Sequence, residues 1–233
     1  TVGSILTLGA LGILNVVVSM LLLQMAIYYG KASLTAIIVS MNPLFVSIFA
    51  FMLIQEKLSR YQVYSLVLGL MGLVVIILSE QDFSSGSFVN LPLGIVFAVL
   101  AGITFALYTV LTKRAVQKLG NRITNCVSFL VGGLCLSVLN LALGKTMLFE
   151  PSLRNISLIL YLGIVITGAA YLFYFEAMKA LSAAKASIYF FLKPAVASIL
   201  AFFFLQEQLS VVQIIGIILV MLALSRRLWL KRI

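Results

Sequence analysis

Residues 43–62 read PLFVSIFAFMLIQEKLSRYQ, and residues 194–213 read PAVASILAFFFLQEQLSVVQ. The two stretches share the polar run Gln-Glu-x-Leu-Ser-x-x-Gln at the same distance after a proline, in a chain with four prolines and six acidic residues. Apolar segments match one another easily, so the comparison depends mainly on this polar run. Its recurrence at a constant offset of 151 residues predicts that the chain contains two related halves.

The composition places the chain in a lipid bilayer. Hydrophobic residues make up 63% of its 233 residues, charged residues make up 9%, and the mean hydropathy is +1.21. A soluble domain of this length exposes too much surface for so few charges. The net charge of +10 does not indicate nucleic-acid binding, because the basic residues lie between apolar segments and at the C-terminus, where they act as topology signals.

Eight apolar segments predict membrane-spanning helices, each of which needs about 20 residues to cross the hydrocarbon core. The segments cover residues 5–29, 32–54, 61–79, 91–112, 123–144, 156–178, 186–205 and 211–225. The sequence therefore predicts an all-α protein, a polytopic transmembrane bundle with three helices before the polar linker 81–90 and five after it. We define residues 1–80 as the first half, an incomplete repeat, and residues 91–233 as the second half.

The basic residues predict the orientation of the helices. The side on which the first helix starts receives twelve lysines and arginines, and the opposite side receives Lys31, Lys145 and Arg154. The positive-inside rule makes the richer side cytoplasmic, which predicts a multi-pass protein of the inner or plasma membrane with a cytoplasmic C-terminus. Five helices separate equivalent positions of the two copies, so the repeats are inverted, and a substrate site is expected between them near the bilayer midplane.

No residue pattern indicates a cofactor, a metal or an enzymatic reaction. Histidine is absent, and Cys126 and Cys135 lie nine residues apart on opposite sides of one predicted helix, where they cannot pair. No metal cluster or activated nucleophile is visible, so a membrane enzyme is not predicted. The expected partners are a small-molecule solute and the lipid bilayer, without nucleic acid, and the oligomeric state is left open, a homodimer included.

Three motifs connect the chain to a known family. They are the spacing Ala-x5-Ala-x10-Pro ahead of each Gln-Glu run, FALYTVL at 105–111 followed by Lys113-Arg114, and YFEAMK at 174–179. With these motifs the chain resembles EamA-type members of the drug/metabolite transporter superfamily over essentially its whole length. The resemblance implies ten helices in two inverted five-helix halves, with both termini cytoplasmic, and export of a small metabolite. This sequence would lack the first two of those helices.

Lys193 is the clearest candidate for a binding residue, because an ionisable side chain inside a membrane is costly and usually functional. It lies directly before Pro194, on the order of 12 Å from the cytoplasmic end of its segment at about 1.5 Å per residue. The proline interrupts the helical hydrogen bonds there. Lys193 would bind a carboxylate or a phosphate, or act as a proton-linked switch. The alternative is a structural lysine that extends to the cytoplasmic surface or pairs with Glu176.

Polar residues at helical spacing accompany Lys193. Tyr189 shares its face of the helix, and Asn42 and Thr35 lie on the matching face of the first copy. Each polar stripe alone is more typical of contacts between helices than of a site. Converging at one level of the membrane, the stripes would line a cavity. The predicted substrate-binding residues are Lys193, Asn42, Tyr189, Tyr108, Thr104, Tyr171, Tyr174, Asn15 and Thr35.

Glu56 and Glu207 occupy the same position in the two copies of the motif. Both lie at predicted helix ends, and we interpret them as structural carboxylates that cap the N-terminus of the helix that follows.

These observations favour a transporter that exports or exchanges a small anionic or zwitterionic metabolite, such as an amino acid or an organic acid, by alternating access. Two alternatives stay open. Efflux of a drug or a quaternary ammonium compound is less favoured, because no acidic residue lies at the predicted midplane. The other alternative is a non-transporting assembly or scaffold subunit.

Overall fold

The computed structural model describes residues 2–30, 32–79, 89–145, 151–205 and 210–229, and the regular structure within these ranges is helical. α1 consists of three consecutive stretches, Val2–Gly12, the π-helical Ile13–Ser19 and Met20–Gly30. The other helices of the first half are α2 (Ala32–Ser40), α3 (Asn42–Ile54) and α4 (Arg60–Ser79).

The second half begins with α5 (Leu91–Leu119) and α6 (Asn121–Ala142). α7 again consists of three stretches, Leu153–Leu160, the π-helical Tyr161–Ala169 and Ala170–Ala180. The remaining elements are α8 (Ala183–Ile188), the 3₁₀ turn Tyr189–Phe191, α9 (Leu192–Leu205) and α10 (Val211–Trp229).

Four of these helices are long and apolar enough to cross a membrane, namely Gly3–Gly30, Leu91–Leu119, Asn121–Ala142 and Leu153–Ala180. Shorter apolar helices cover Asn42–Ile54, Arg60–Ile76 and Val211–Leu224. The prediction of an all-α transmembrane bundle is confirmed by these helices, while the division into three plus five helices and the inverted repeat stay predictions.

Some helix boundaries differ from the predicted segments. α5 continues to Leu119, seven residues beyond the predicted end, because the stretch from Lys113 contains no glycine or proline before Gly120. Gly120 has a φ of +87°, a conformation that suits glycine, and it turns the chain directly into α6. The predicted linker 81–90 lies outside the described residues except for its end, where the Asn90 side chain accepts a hydrogen bond from the Leu93 N–H at 3.2 Å and caps α5.

Two apolar segments that were predicted as single helices are interrupted in front of a proline. Between α2 and α3, the Met41 N–H donates to the Ile38 carbonyl at 3.1 Å and the Leu44 N–H donates to the Met41 carbonyl at 2.9 Å. These are three-residue steps, tighter than in an α-helix, and Pro43 has no N–H to continue the helical ladder. The 3₁₀ turn Tyr189–Phe191 interrupts the other segment, so the two breaks stand at corresponding positions of the repeated motif.

The polar run shared by the two copies starts the helix that follows it. The Ser59 N–H donates to Gln62 Oε1 at 2.7 Å, and the Gln62 N–H donates to Ser59 Oγ at 3.3 Å. Ser210 and Gln213 form the same reciprocal pair, at 2.9 and 3.1 Å. Each copy of Ser-x-x-Gln is therefore a capping box. The prediction that Glu56 caps the following helix is wrong, since Ser59 does so, and Glu207 lies outside the described residues.

α5 is the central helix of the bundle. It packs against α1, α2, α3, α6 and α7 and touches α8. The core around it is closed by apolar side chains, with Ala106 and Val110 of α5 buried against Val46 of α3 and Phe175 of α7. A second core lies between α4 and α10 and includes Phe191, the last residue of the second helix break. Neighbouring helices therefore cover the Phe191 side of this break, while Tyr189 is 47% exposed.

Glycines allow two pairs of helices to approach until their main-chain atoms are in contact. A Cβ atom on Gly132 of α6 would lie 2.5 Å from the Gly12 carbonyl oxygen of α1, and one on Gly72 of α4 would lie 2.8 Å from the Gly216 carbonyl oxygen of α10. Neither contact leaves room for a methyl group, because the obstructing atoms belong to the backbone. Small residues at such positions are the usual device for close packing between membrane helices.

Gly132→Ala should therefore destabilise the bundle, whereas Gly133→Ala should not. Gly133 is the neighbouring residue on the same helix and has no atom within 4 Å of its would-be Cβ, so it is a matched control. The overpacking at Gly132 should cost about 1 to 3 kcal/mol, while alanine at Gly133 gains helix propensity. The midpoint of thermal unfolding in detergent measures both, and equal shifts in the two variants would contradict the close α1–α6 contact.

Candidate functional site

The two helix breaks present the predicted residues Asn42 and Lys193. Asn42 is the first residue of α3, is 1% exposed, and neither atom of its amide makes an aligned hydrogen bond with another described residue. The beginning of the second break is close by, since α3 contacts the 3₁₀ turn Tyr189–Phe191. Lys193 follows that turn in the first residues of α9. The amide and the ammonium thus belong to interruptions in neighbouring helices.

A polar cluster lies beside these breaks, and we define it as Asn15 of α1, Tyr108 and Thr112 of α5, and Tyr171 of α7. The Asn15 amide faces the hydroxyls of Tyr108 and Tyr171, and the Tyr108 hydroxyl also faces Thr112. The polar side-chain atoms of Asn15, Tyr108 and Thr112 are buried, yet none of them makes an aligned hydrogen bond within the described residues. Buried polar groups normally have partners.

Four more residues near the polar cluster have buried polar atoms that make no aligned hydrogen bond with a described residue. We call all such atoms the unaligned polar atoms. The hydroxyls of Thr109 on α5 and Tyr174 on α7 face each other without hydrogen-bond geometry. On α6, Asn125 Oδ1 and Ser128 Oγ are buried and have no hydrogen-bond partner in the described part of the chain. This helix packs against the π-helical stretch of α1. A buried polar group left without any partner costs about 1 to 3 kcal/mol, so these atoms are candidates for hydrogen bonds to a bound solute.

The π-helical stretch of α1 places Asn15 in the interior. Both Asn15 and Ser19 are buried within it, and the Ser19 hydroxyl donates to the Leu14 carbonyl, five residues back, at 2.8 Å. α7 has a comparable stretch, in which the Thr167 hydroxyl donates to the Leu162 carbonyl at 2.9 Å. Wider turns of this kind redirect side chains and are frequent at functional sites.

An aromatic wall, formed by Phe105, Tyr174 and Phe190, lies between Lys193 and the polar cluster. Lys193 Nζ is 4.0 Å from the centre of the Phe190 ring, which stacks on Tyr174 at a centroid distance of 4.9 Å. Phe105 lies 6.3 Å from Phe190 and 6.1 Å from Tyr108. The ammonium therefore occupies the face of an aromatic ring that is continuous, through ring contacts, with the polar cluster.

Lys193 does not pair with Glu176, which was one of the two structural alternatives left open by the sequence. Glu176 accepts hydrogen bonds from Asn121 Nδ2 at 2.9 Å and from Lys179 Nζ at 3.1 Å, at the end of α7. Lys193 is exposed and its Nζ contacts the ring of Phe190, so the other alternative, a lysine that extends to the surface, stays open.

The predicted site residues fall into three groups. Asn15, Tyr108 and Tyr171 meet in the polar cluster, with Tyr174 and Lys193 at the aromatic wall next to it. Asn42 and Thr35 are buried at and before the first break. Tyr189 and Thr104 do not join the cluster, since Tyr189 is 47% exposed and the Thr104 hydroxyl donates to the Leu100 and Ala101 carbonyls of its own helix. A role in binding stays a prediction for all nine.

Sequence reasoning missed Thr109, Asn125 and Ser128 as candidates. A signal for the α6 residues was present, because Asn121, Thr124, Asn125, Ser128 and Gly132 recur at helical spacing and form one buried stripe. Thr109 gave no such signal, since it lies outside the face shared by Thr104, Tyr108 and Thr112.

A bundle of apolar helices with broken segments and unsatisfied polar groups in its interior is the architecture of a polytopic membrane transporter. The model of the EamA-like transporter family matches residues 1–78 and 92–225. The chain belongs to the EamA-like transporter family.

Two relatives and one solved structure match most of the chain. A protein named "Uncharacterized transporter" from Clostridium kluyveri is 34% identical over 215 residues, covering 92% of this chain and 69% of the relative. Protein PecM from Dickeya dadantii is 31% identical over 231 residues, covering 96% of this chain and 73% of its own. A solved crystal structure shares the fold with a TM-score of 0.79 at 18% identity, covering 95% of this chain and 77% of that one.

Replacing Ser128 by alanine tests whether its hydroxyl forms a hydrogen bond with a bound solute. Ser47→Ala is the matched control, because both serines are 1% exposed but the Ser47 hydroxyl donates to the Pro43 carbonyl at 2.7 Å. Ser128→Ala should leave the thermal midpoint unchanged or raise it, and weaken solute affinity roughly 5- to 10-fold, the value of one hydrogen bond. Ser47→Ala should lower the midpoint and leave affinity unchanged, and the reverse pattern would exclude Ser128 from the site.

Proposed function

We propose that this transporter exports or exchanges a small anionic or zwitterionic metabolite by alternating access, with Lys193 as the residue that binds the anionic group. The observation that carries the proposal is that Lys193 has no carboxylate partner among the described residues. The described residues include two carboxylates, and each is paired with another lysine, Glu56 with Lys113 and Glu176 with Lys179. Lys193 has an aromatic ring as its neighbour and no carboxylate among the described residues.

A charged lysine inside a membrane costs free energy unless a counter-charge or a polar cavity accompanies it. A charge inside the membrane is retained where it faces a cavity or a counter-charge. The ring of Phe190 supplies a cation–π attraction of about 0.5 to 2 kcal/mol, which is less than a charge-assisted hydrogen bond to a carboxylate or phosphate contributes. A solute with such a group would therefore bind Lys193 in preference to the ring alone.

The polar cluster is suited to the rest of such a solute. Asn15 offers both a donor and an acceptor, and Tyr108 and Thr112 offer hydroxyls that can act either way. Neutral groups of this kind bind amino, hydroxyl or carbonyl groups without requiring a fixed charge. Together with one cation they favour an amino acid, an organic acid or a related metabolite.

Efflux of a quaternary ammonium compound has less support. Such a cation needs an open aromatic face and, commonly, a carboxylate. Lys193 already occupies the face of Phe190, and the described carboxylates are engaged in ion pairs. The proposal includes an inner or plasma membrane location, a cytoplasmic C-terminus and inverted halves, as the charge distribution predicts.

Counterflow into proteoliposomes loaded with pooled amino acids, organic acids and phosphorylated metabolites tests this function. We expect exchange of an anionic or zwitterionic solute, a loss of affinity of roughly 10- to 100-fold in Lys193→Gln because a charge-assisted hydrogen bond is removed, and partial retention in Lys193→Arg. Lys185→Gln is the control, since Lys185 lies in α8 before the break.

The outcomes separate the alternatives. Exchange that survives Lys193→Gln unchanged would make the lysine structural. Exchange of quaternary ammonium compounds alone would support drug efflux, and the absence of flux for every solute would support the scaffold function.

A further inference from the structure

An ion pair at one end of the bundle joins the two halves. The Glu56 carboxylate accepts hydrogen bonds from Lys113 Nζ and from the Ala183 N–H, the latter at 2.8 Å to Oε2 and 3.1 Å to Oε1. Lys113 Nζ also donates to the Leu181 carbonyl at 3.2 Å. We call Glu56, Lys113, Leu181 and Ala183 the clasp. Glu56 belongs to the first half, and the other three residues belong to the second.

The backbone around Glu56 is shaped for this contact. Gln55, the non-glycine residue with positive φ within the described ranges, adopts φ 53°, and the Glu56 N–H then donates to the Ala50 carbonyl at 3.0 Å. A left-handed residue other than glycine costs free energy and is kept where its neighbours require it. Gln62 Nε2 adds a second link between the halves, donating to Ser182 Oγ at 3.2 Å.

The clasp is sheltered although it lies at an end of the bundle. The side chains of Lys113 and Glu56 are 7% and 17% exposed, whereas the ion pair between Lys179 and Glu176, at the same end, is 37% and 59% exposed. A sheltered pair with hydrogen bonds to the main chain fixes geometry, and separating it leaves desolvated charges. An exposed pair contributes little.

The clasp lies one helical turn beyond the unaligned polar atoms. On α5, Lys113 and Thr109 are four residues apart, which stacks them on one face about 6 Å apart along the axis. On the opposite side, Leu181 and Ala183 lead into α8, the helix that ends at the second break and Lys193. Release of the clasp would therefore free the entry to α8 and loosen the packing over Thr109, which is 0% exposed while the clasp is closed.

We propose that the clasp is the gate at this end of the transport pathway, with Glu56 and Lys113 as positioning residues that must separate and rejoin in each cycle. This inference rests on the alternating access proposed above. The repeated motif assigns Glu207 to the equivalent position of the other copy, but residues 206–209 lie outside the described part of the chain, so the argument is confined to Glu56.

Accessibility of a single cysteine at Thr109 tests the gate without a known solute. In a Cys126→Ser, Cys135→Ser background, Thr109→Cys is labelled with a charged, membrane-impermeant methanethiosulfonate in right-side-out and inside-out vesicles. The double variant Glu56→Gln, Lys113→Met removes both charges, so that neither an unpaired carboxylate nor an unpaired ammonium is left buried. Labelling from the clasp side should accelerate about tenfold, as expected when charge-assisted hydrogen bonds that favour the closed state are lost.

The control is Glu176→Gln, Lys179→Met, which removes the exposed ion pair at the same end and should leave the labelling rate unchanged. Unchanged labelling in the clasp variant, or equal acceleration in the control, would overturn the proposal. Glu56→Asp keeps the charge and shortens the side chain, so it should accelerate labelling about threefold while retaining the fold. Because labelling needs no flux, its result is independent of whether the proposed solute class is correct.

Discussion

A membrane helix that breaks must hide the break from lipid, because the hydrocarbon core supplies no hydrogen-bond partners. This chain breaks two helices in front of a proline, at Met41 and at Tyr189–Phe191. The requirement to enclose both breaks explains the central position of α5 and the packing of α4 on α10 below the second break. Asn42 is buried among the neighbouring helices at the first break, whereas Lys193 is exposed and its ammonium lies over the Phe190 ring.

Enclosure of this kind depends on backbone contacts that side chains would prevent. At Gly12 with Gly132, and at Gly72 with Gly216, the helices approach until carbonyl oxygens occupy the space of a Cβ atom. The first contact, in which Gly12 also lies against the Ser128 carbonyl, is one turn from Asn15, so it fixes the approach to α6 of the stretch that carries Asn15. Close packing and the polar interior are thus consequences of one arrangement, in which small residues allow polar ones to converge.

The sequence predicted the helical membrane bundle because hydropathy reports the solvent directly, and it predicted the interrupted hydrogen bonds at Pro194 because a proline is a local signal. The break before Pro43 was not predicted, since residues 32–54 were predicted as one helix. It predicted Asn15, Tyr108 and Tyr171 as members of polar stripes on three separate helices, but not which of these residues contact one another. Thr109 and Ser128 required the packing of α5, α6 and α7, which no single helix encodes. The partner of Glu56 was predicted wrongly, because its hydrogen bond to Ala183 joins residues 127 positions apart and local capping rules refer to the adjacent helix.

The clasp also bears on the meaning of the unaligned polar atoms. On α5, Lys113 has a carboxylate and a carbonyl as partners, while the hydroxyls of Thr112, Thr109 and Tyr108, one to five residues earlier, have no aligned hydrogen bond among the described residues. All of these residues lie on the same regular helix. The bonds of Lys113 show that polar side chains of α5 can be given partners inside the bundle. Polar groups left unsatisfied beside a fully bonded clasp cost stability without fixing the fold, and such costs concentrate where a protein binds a ligand. This contrast supports a solute as the partner of the polar cluster and the clasp as the contact that encloses it.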